Sequence, residues 1–263
     1  MLSSTFIHAP GVGATTEQAL WKQGAVTWRH LLDGANNFKV PPSRRAGLIE
    51  TIERSVAMLD EQRVDYFARM LPSREHWRGF SEFPKLGFLD IETDGGTSGD
   101  SVTLIGLGDG FDVKIYVKDN DLAAFAYDCQ EYDGFVTFFG GGFDIPMLQR
   151  RFPVLQSVFA DRLHIDLCPL LRRLGYRGGL KSIERQLGIN RVPETDGLSG
   201  MDAVRLWEIH RRGRAGSDEA LQLLLAYNRE DVVNMKMLLD FAIPKLTESA
   251  GWNRLPLAAE AAS

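Results

Sequence analysis

The sequence predicts an α/β protein: a mixed five-stranded sheet flanked by helices, with a small helical segment in front of it. Three observations carry this expectation. Apolar, β-rich runs at 86–92, 102–107 and 113–117 follow one another across glycine-containing turns. Strand and helix patterns then alternate from 121 to 174, and residues 1–84 show helical spacing alone. A chain of 263 residues suits one large domain with an attachment. Its hydrophobic share of 44% and charged share of 25% are ordinary for a globular protein. The formal net charge of −5 offers no global basic field for nucleic acid, but leaves room for a local basic groove. Cys129 and Cys168 are far apart and form no CxxC pair, which reads as free thiols in a reducing compartment. Residues 1–10 lack the basic start and apolar core of a signal peptide. No apolar run approaches the roughly 20 residues of a membrane helix. The expectation is a soluble, cytoplasmic protein.

Taken in order, residues 1–84 form the helical N-terminal segment. Short amphipathic stretches at 16–22 and 27–32 stop at Gly24 and Gly34. Pro41-Pro42-Ser43 opens a longer helix, 44–70, with Leu48, Ile52, Val56 and Leu59 on one face. Pro72 ends it, and 73–84 reads as linker. Residues 85–245 follow as the main domain. Asp109-Gly110 supplies a tight turn, so the first three strands read as an antiparallel meander. Gly106, Gly108 and Gly110 are not a dinucleotide fingerprint, because no helix follows them. A helix at 121–132, a strand at 134–139, a helix at 144–151 and a strand at 163–167 come next. Helices at 169–174, 180–187, 201–211 and 218–241 complete the domain, and 246–263 is an Ala-rich tail.

Side chains alternate faces along a strand, so Phe88, Asp90 and Glu92 share one side and Leu89 and Ile91 the other. Two acids on one face of a buried strand repel each other and lose hydration unless a cation sits between them. Asp90-x-Glu92, Phe143-Asp144, Asp166 and Tyr227-x-x-x-Asp231 then recur in order. Singly, each is weak: a charged strand end, an N-capping aspartate, an amphipathic helix with a half-buried Tyr. Tyr227 and Asp231 lie one turn apart on one helix face. The ordered set on this strand and helix pattern is what carries information.

That set resembles the DEDD group of 3′→5′ exonucleases on the ribonuclease H-like fold. Asp90 and Glu92 match its first motif, Asp144 its second and Asp231 its third. Tyr227, four residues before the last acid, matches the DEDDy branch; the His position of the DEDDh branch is Ala226 here. Leu86-Gly87-Phe88-Leu89-Asp90-Ile91-Glu92-Thr93, Gly142-Phe143-Asp144-Ile145-Pro146, Gly179-Leu180-Lys181-Ser182-Ile183-Glu184 and Tyr227-Asn228-Arg229-Glu230-Asp231-Val232 further resemble YprB-type ribonuclease H-like domains. Within the N-terminal segment, Pro10-Gly11-Val12-Gly13-Ala14 before Glu17-Gln18-Ala19-Leu20 resembles the turn of a helix-hairpin-helix module, but its flanks supply no cation for a phosphate. One departure stands out. The Asn that many DEDD enzymes carry five residues before the second-motif Asp is Phe139 here, followed by Gly140-Gly141-Gly142.

The resemblance implies that Asp90, Glu92, Asp144 and Asp231 bind two Mg²⁺ or Mn²⁺ ions, and that Tyr227 orients the attacking water as base or as positioner. Four ionised carboxylates at one point raise one another's pKa, and two divalent cations balance them. Hard cations take oxygen ligands, and no Cys or His cluster suggests zinc. Asp166 is left over from the four-acid set and reads as structural or as support for a ligand. Arg150-Arg151, Arg172-Arg173, Arg177 and Lys181 follow the motif elements, either as a nucleic-acid track or as solvated surface. The implied activity is 3′→5′ hydrolysis of single-stranded or frayed nucleic acid. The competing readings are a nucleic-acid-binding module with a decayed site, motivated by Phe139, and a ribonuclease H-type endonuclease, which Tyr227 disfavours. A phosphotransferase or general hydrolase lacks a P-loop or a nucleophile motif.

Overall fold

The computed structural model describes residues 1–34, 37–252 and 255. The sheet is β1 (Leu86–Thr93), β2 (Val102–Gly108), β3 (Val113–Val117), β4 (Gly134–Thr137) and β5 (Leu163–Asp166), in the order β3-β2-β1-β4-β5. β1, β2 and β3 form the expected antiparallel meander, while β4 and β5 add in parallel to β1. Asp109 closes the β2–β3 turn, its Oδ1 accepting the N–H groups of Phe111 and Asp112 at 2.9 Å each.

The helices are α1 (Ala14–Lys22), α2 (Trp28–Asp33), α3 (Pro42–Asp60), α4 (Val64–Met70), α5 (Phe125–Asp128), α6 (Asp144–Arg151), α7 (Leu155–Ala160), α8 (Leu167–Arg173), α9 (Leu180–Gln186), α10 (Gly200–Arg211) and α11 (Ser217–Ala250). The period of two along β1 assigns them to faces. Leu89 and Ile91 join Ile105, Phe125, Phe135, Met147, Leu148 and Phe159, which places α5–α7 on one side. Phe88 joins Val136, Leu170, Leu171, Val232 and Met235, with α8 and α11 on the other. Asp90 and Glu92 therefore point to the α11 side. The mixed sheet with helices on both faces is the ribonuclease H-like arrangement that the sequence predicts.

Several expectations about local elements need correction. The helix expected over 44–70 is two helices. Gln62 turns left-handed at φ +55, and the Arg63 N–H reaches back to the Met58 carbonyl at 2.8 Å. Glycine usually makes such a helix end, and none stands there to signal it. The expected linker 73–84 contains a buried 3₁₀ turn, Ser73–Gly79, with Glu75, His76, Trp77 and Arg78 inside. Its polar letters mislead because their charges pair inside the fold. Helix α7 had no clear signal. α11 continues through Pro244 to Ala250, and the boundary expected at 245 falls within it, where Leu246 is fully buried. Most of the expected tail, from 253 on, lies outside the described residues. Residues 1–84 do not stand apart from the sheet face: Phe6, Trp28, Phe67 and Trp77 belong to the same apolar cluster as Phe88, Leu163 and Trp252.

Candidate active site

β1 is central in the sheet, but β4 pairs with it only at Leu86, Gly87 and Phe88. The C-terminal half of β1 thus has a neighbour on one side alone, and the acids sit there. Asp144 opens α6, and its Oδ1 accepts the Ile91 N–H at 3.1 Å where strand pairing has stopped. Asp90 pairs across with Gly106 and Glu92 with Leu104. A Cβ at Gly106 would lie 2.3 Å from Asn228 Oδ1 and 2.8 Å from Val232 Cγ2. Glycine at 106 is what allows α11 to lie directly on β2 and to bring Tyr227, Asn228 and Asp231 over the strand.

Carboxylate oxygens of Asp90, Glu92 and Asp231 all lie within 4.8 Å of one another. Asp144 stands outside that tight set, with one oxygen engaged by β1, yet close enough that its charge acts on Asp90 and Glu92. Tyr227 is one turn before Asp231 and 3% exposed. The structure therefore brings together all five residues singled out in the sequence. It separates Asp166 from them in role. Asp166 caps α8 through the Cys168 N–H at 3.1 Å and holds the glycine loop by the N–H groups of Phe139 at 2.8 Å and Gly141 at 3.1 Å. Phe139 itself is 56% exposed at φ +64, a backbone region that a bulky side chain rarely occupies.

Burial, reinforced by mutual repulsion, sets the electrostatics. It raises Asp90 and Glu92 well above the usual carboxylate range, with Asp231 the strongest of the repelling charges. Burial lifts Asp144 to about 7, against the pull of its backbone hydrogen bonds. Asp231 is raised by burial as well, but Lys181 and Arg191 hold it back. Burial and then the Asp231, Glu92 and Asp90 charges push the Tyr227 phenol upward, so it stays a neutral hydroxyl. Among the described residues no donor reaches the Glu92 carboxylate, and Asp90 receives one side-chain donor, Asn228 Nδ2 at 2.7 Å. Buried, oxygen-only and short of positive charge, this donor set fits a hard divalent cation.

Three further residues shape the site. Asn228 is fully buried and orients Asp90. Lys181 donates to the Tyr227 hydroxyl, and its Nζ is 3.9 Å from Asp231 Oδ2. Arg191 donates to Asp231 and grips Glu184 through Nε at 2.7 Å and Nη2 at 2.6 Å. Asn228 left a trace in the sequence, as an amide on the inner stripe that Leu224, Val232 and Met235 mark as apolar. Arg191 left none, because it arrives through the loop between α9 and α10.

A family model described as RNase_H_2, of the RNase H superfamily, matches residues 87–243. Among solved structures, the family B DNA polymerase from the hyperthermophilic archaeon Pyrobaculum calidifontis aligns at 18% identity with a TM-score of 0.49, covering 65% of this chain and 26% of that one. No curated protein matches the chain. From the family match the chain belongs to the RNase_H_2 family of the RNase H superfamily, a membership that supports nuclease activity.

Proposed function

We propose that the protein is a metal-dependent 3′→5′ exonuclease of the DEDDy type, close to the YprB-type domains. It would release nucleoside 5′-monophosphates from single-stranded or frayed 3′ ends of DNA or RNA. The observation that carries this reading is the convergence of Asp90, Glu92 and Asp231 to within 4.8 Å, at the end of a strand that Asp144 also touches. Asp90, Glu92, Asp144 and Asp231 would hold two Mg²⁺ or Mn²⁺ ions, which supply water activation and charge stabilisation at phosphorus. Around them the chain's own groups keep the ligands in place. Asn228 fixes the rotamer of Asp90, and the Ile91 N–H fixes that of Asp144. Tyr227, hydrogen-bonded to Lys181 one turn before Asp231, would orient the attacking water. Lys181 places a positive charge beside the reacting phosphate.

The test is incubation with 5′-labelled single-stranded DNA and RNA in Mg²⁺ or Mn²⁺, alongside a circular strand. A ladder that shortens from the 3′ side, with the circle intact, is the expected result. Cleavage of the circle would make the protein an endonuclease, and intact linear strands in both metals would end the nuclease reading.

A further inference from the structure

Between α9 and α10, next to the acid cluster, lies a cleft of about 570 Å³ that the acid chemistry does not use. We infer that this cleft is a phosphate track for the strand whose 3′ end enters the acid cluster, an inference that rests on the exonuclease reading. Lys181 links the two places, since it lines the cleft while touching Tyr227 and approaching Asp231. Arg185, exposed one turn further along α9, continues the same wall.

Arg191 supplies the second argument. It lines the cleft, its side chain is 3% exposed, and its Nη1 makes no hydrogen bond, with Glu230 Oε2 3.7 Å away. Closed off from solvent and ringed by Glu184, Glu230 and Asp231, Arg191 acts on the cleft by neutralising Glu184 and not by touching a ligand itself. The opposing charges are Glu184 and Asp196. Glu184 is already neutralised by Arg191 and held by Asn234 at 3.1 Å. Lys181 also answers to Asp231 at 3.9 Å, so Arg185 is the cation of this wall that no carboxylate holds among the described residues, with Asp196 as the remaining acid of the lining. Leu180, Ile189 and Leu198 give the cleft apolar surface suited to a sugar or base. The volume is ample for one nucleotide unit. Continuity with the acid cluster favours a strand over an isolated small anion, because a 3′-terminal phosphodiester cannot reach the acids without its neighbouring phosphates passing close by.

The test is fluorescence anisotropy of a labelled single-stranded oligonucleotide in excess chelator, across a salt series, for the full chain and for Arg185→Ala and Arg185→Glu. Arg185 is exposed, and a thermal melt checks that each variant folds. Arg185→Ala should weaken binding about three- to tenfold and flatten the slope of log K against log salt by about 0.7, the value for one phosphate on a single strand. Arg185→Glu should weaken it further. Wild-type affinity and slope in both variants would overturn the track. A nucleoside 5′-monophosphate that competes as well as the oligonucleotide would also overturn it, in favour of a closed nucleotide pocket. The two readings fail separately. Salt-dependent binding that Arg185→Ala weakens, without cleavage in Mn²⁺, removes the exonuclease and keeps the track; cleavage with no effect of Arg185 removes the track and keeps the exonuclease.

Discussion

Two groups of buried carboxylates stand in this molecule, and they are treated in opposite ways. Under the N-terminal helices, Glu17 is 1% exposed and Glu75 4% exposed, and both are saturated with donors. Glu17 accepts the N–H groups of Phe6 at 2.7 Å and Ile7 at 3.2 Å, and both its oxygens take Arg78 Nη1 at 2.9 Å. Glu75 accepts Arg78 Nε at 2.7 Å and Arg173 at 3.2 Å. At the end of β1, Glu92 has no donor among the described residues and Asp90 has Asn228. A buried charge that is paired and hydrogen-bonded supports the fold, whereas one left open weakens it. The contrast teaches that the first cluster is closed by its own cations, whereas in the second Lys181 and Arg191 come within ion-pair distance of Asp231 and leave Glu92 without a donor among the described residues.

The strongest test of this contrast removes one charge from the open cluster. Glu92→Gln should lower cleavage beyond the roughly 10²-fold that supporting residues cost, while raising the thermal midpoint in chelator. A lower midpoint would make Glu92 a structural acid like Glu17. In the closed cluster, Arg78→Met leaves Glu17 and Glu75 buried without their shared cation. Urea unfolding should report a loss of about 3–5 kcal/mol, and a change no larger than that of a surface substitution would erase the distinction between the clusters. Asn228→Ala sharpens it from the other side, since Asn228 supports Asp90 without neutralising it. Calorimetry with Mn²⁺ should then show affinity reduced by about 10–100-fold.

The smallest expected effect is in pH. In the fold Asp144 holds its proton up to about 7, while the unfolded chain has already released it. Stability in chelator is therefore present at low pH and is lost as pH rises through about 7, with Asp90 and Glu92 acting in the same direction. Mn²⁺ should raise the melting temperature by a few degrees near pH 8 and little near pH 5. An equal shift at both would mean that the ion binds elsewhere.

What was legible in the sequence is what is local or periodic. The alternation along residues 86–92 set Asp90 and Glu92 on one face, and the four-residue spacing set Tyr227 and Asp231 on another. The tight turn at Asp109-Gly110 implied the meander. Where a stop signal was missing, as at Gln62, or where charges pair across long stretches, as Arg78 does with Glu17 and Glu75 with Arg173, local reading failed. Those ion pairs span tens of residues and leave no periodic mark.

By itself, then, the sequence determined which acids exist, on which strand and helix faces they lie, and the mixed sheet that holds them. The tertiary structure alone decided that Gly106 lets α11 rest on β2, that Asn228 orients Asp90, and that Arg191 reaches Asp231 from a loop. The physical reason is that face and spacing follow from backbone geometry, whereas these contacts follow from which surfaces close on each other once the core has packed.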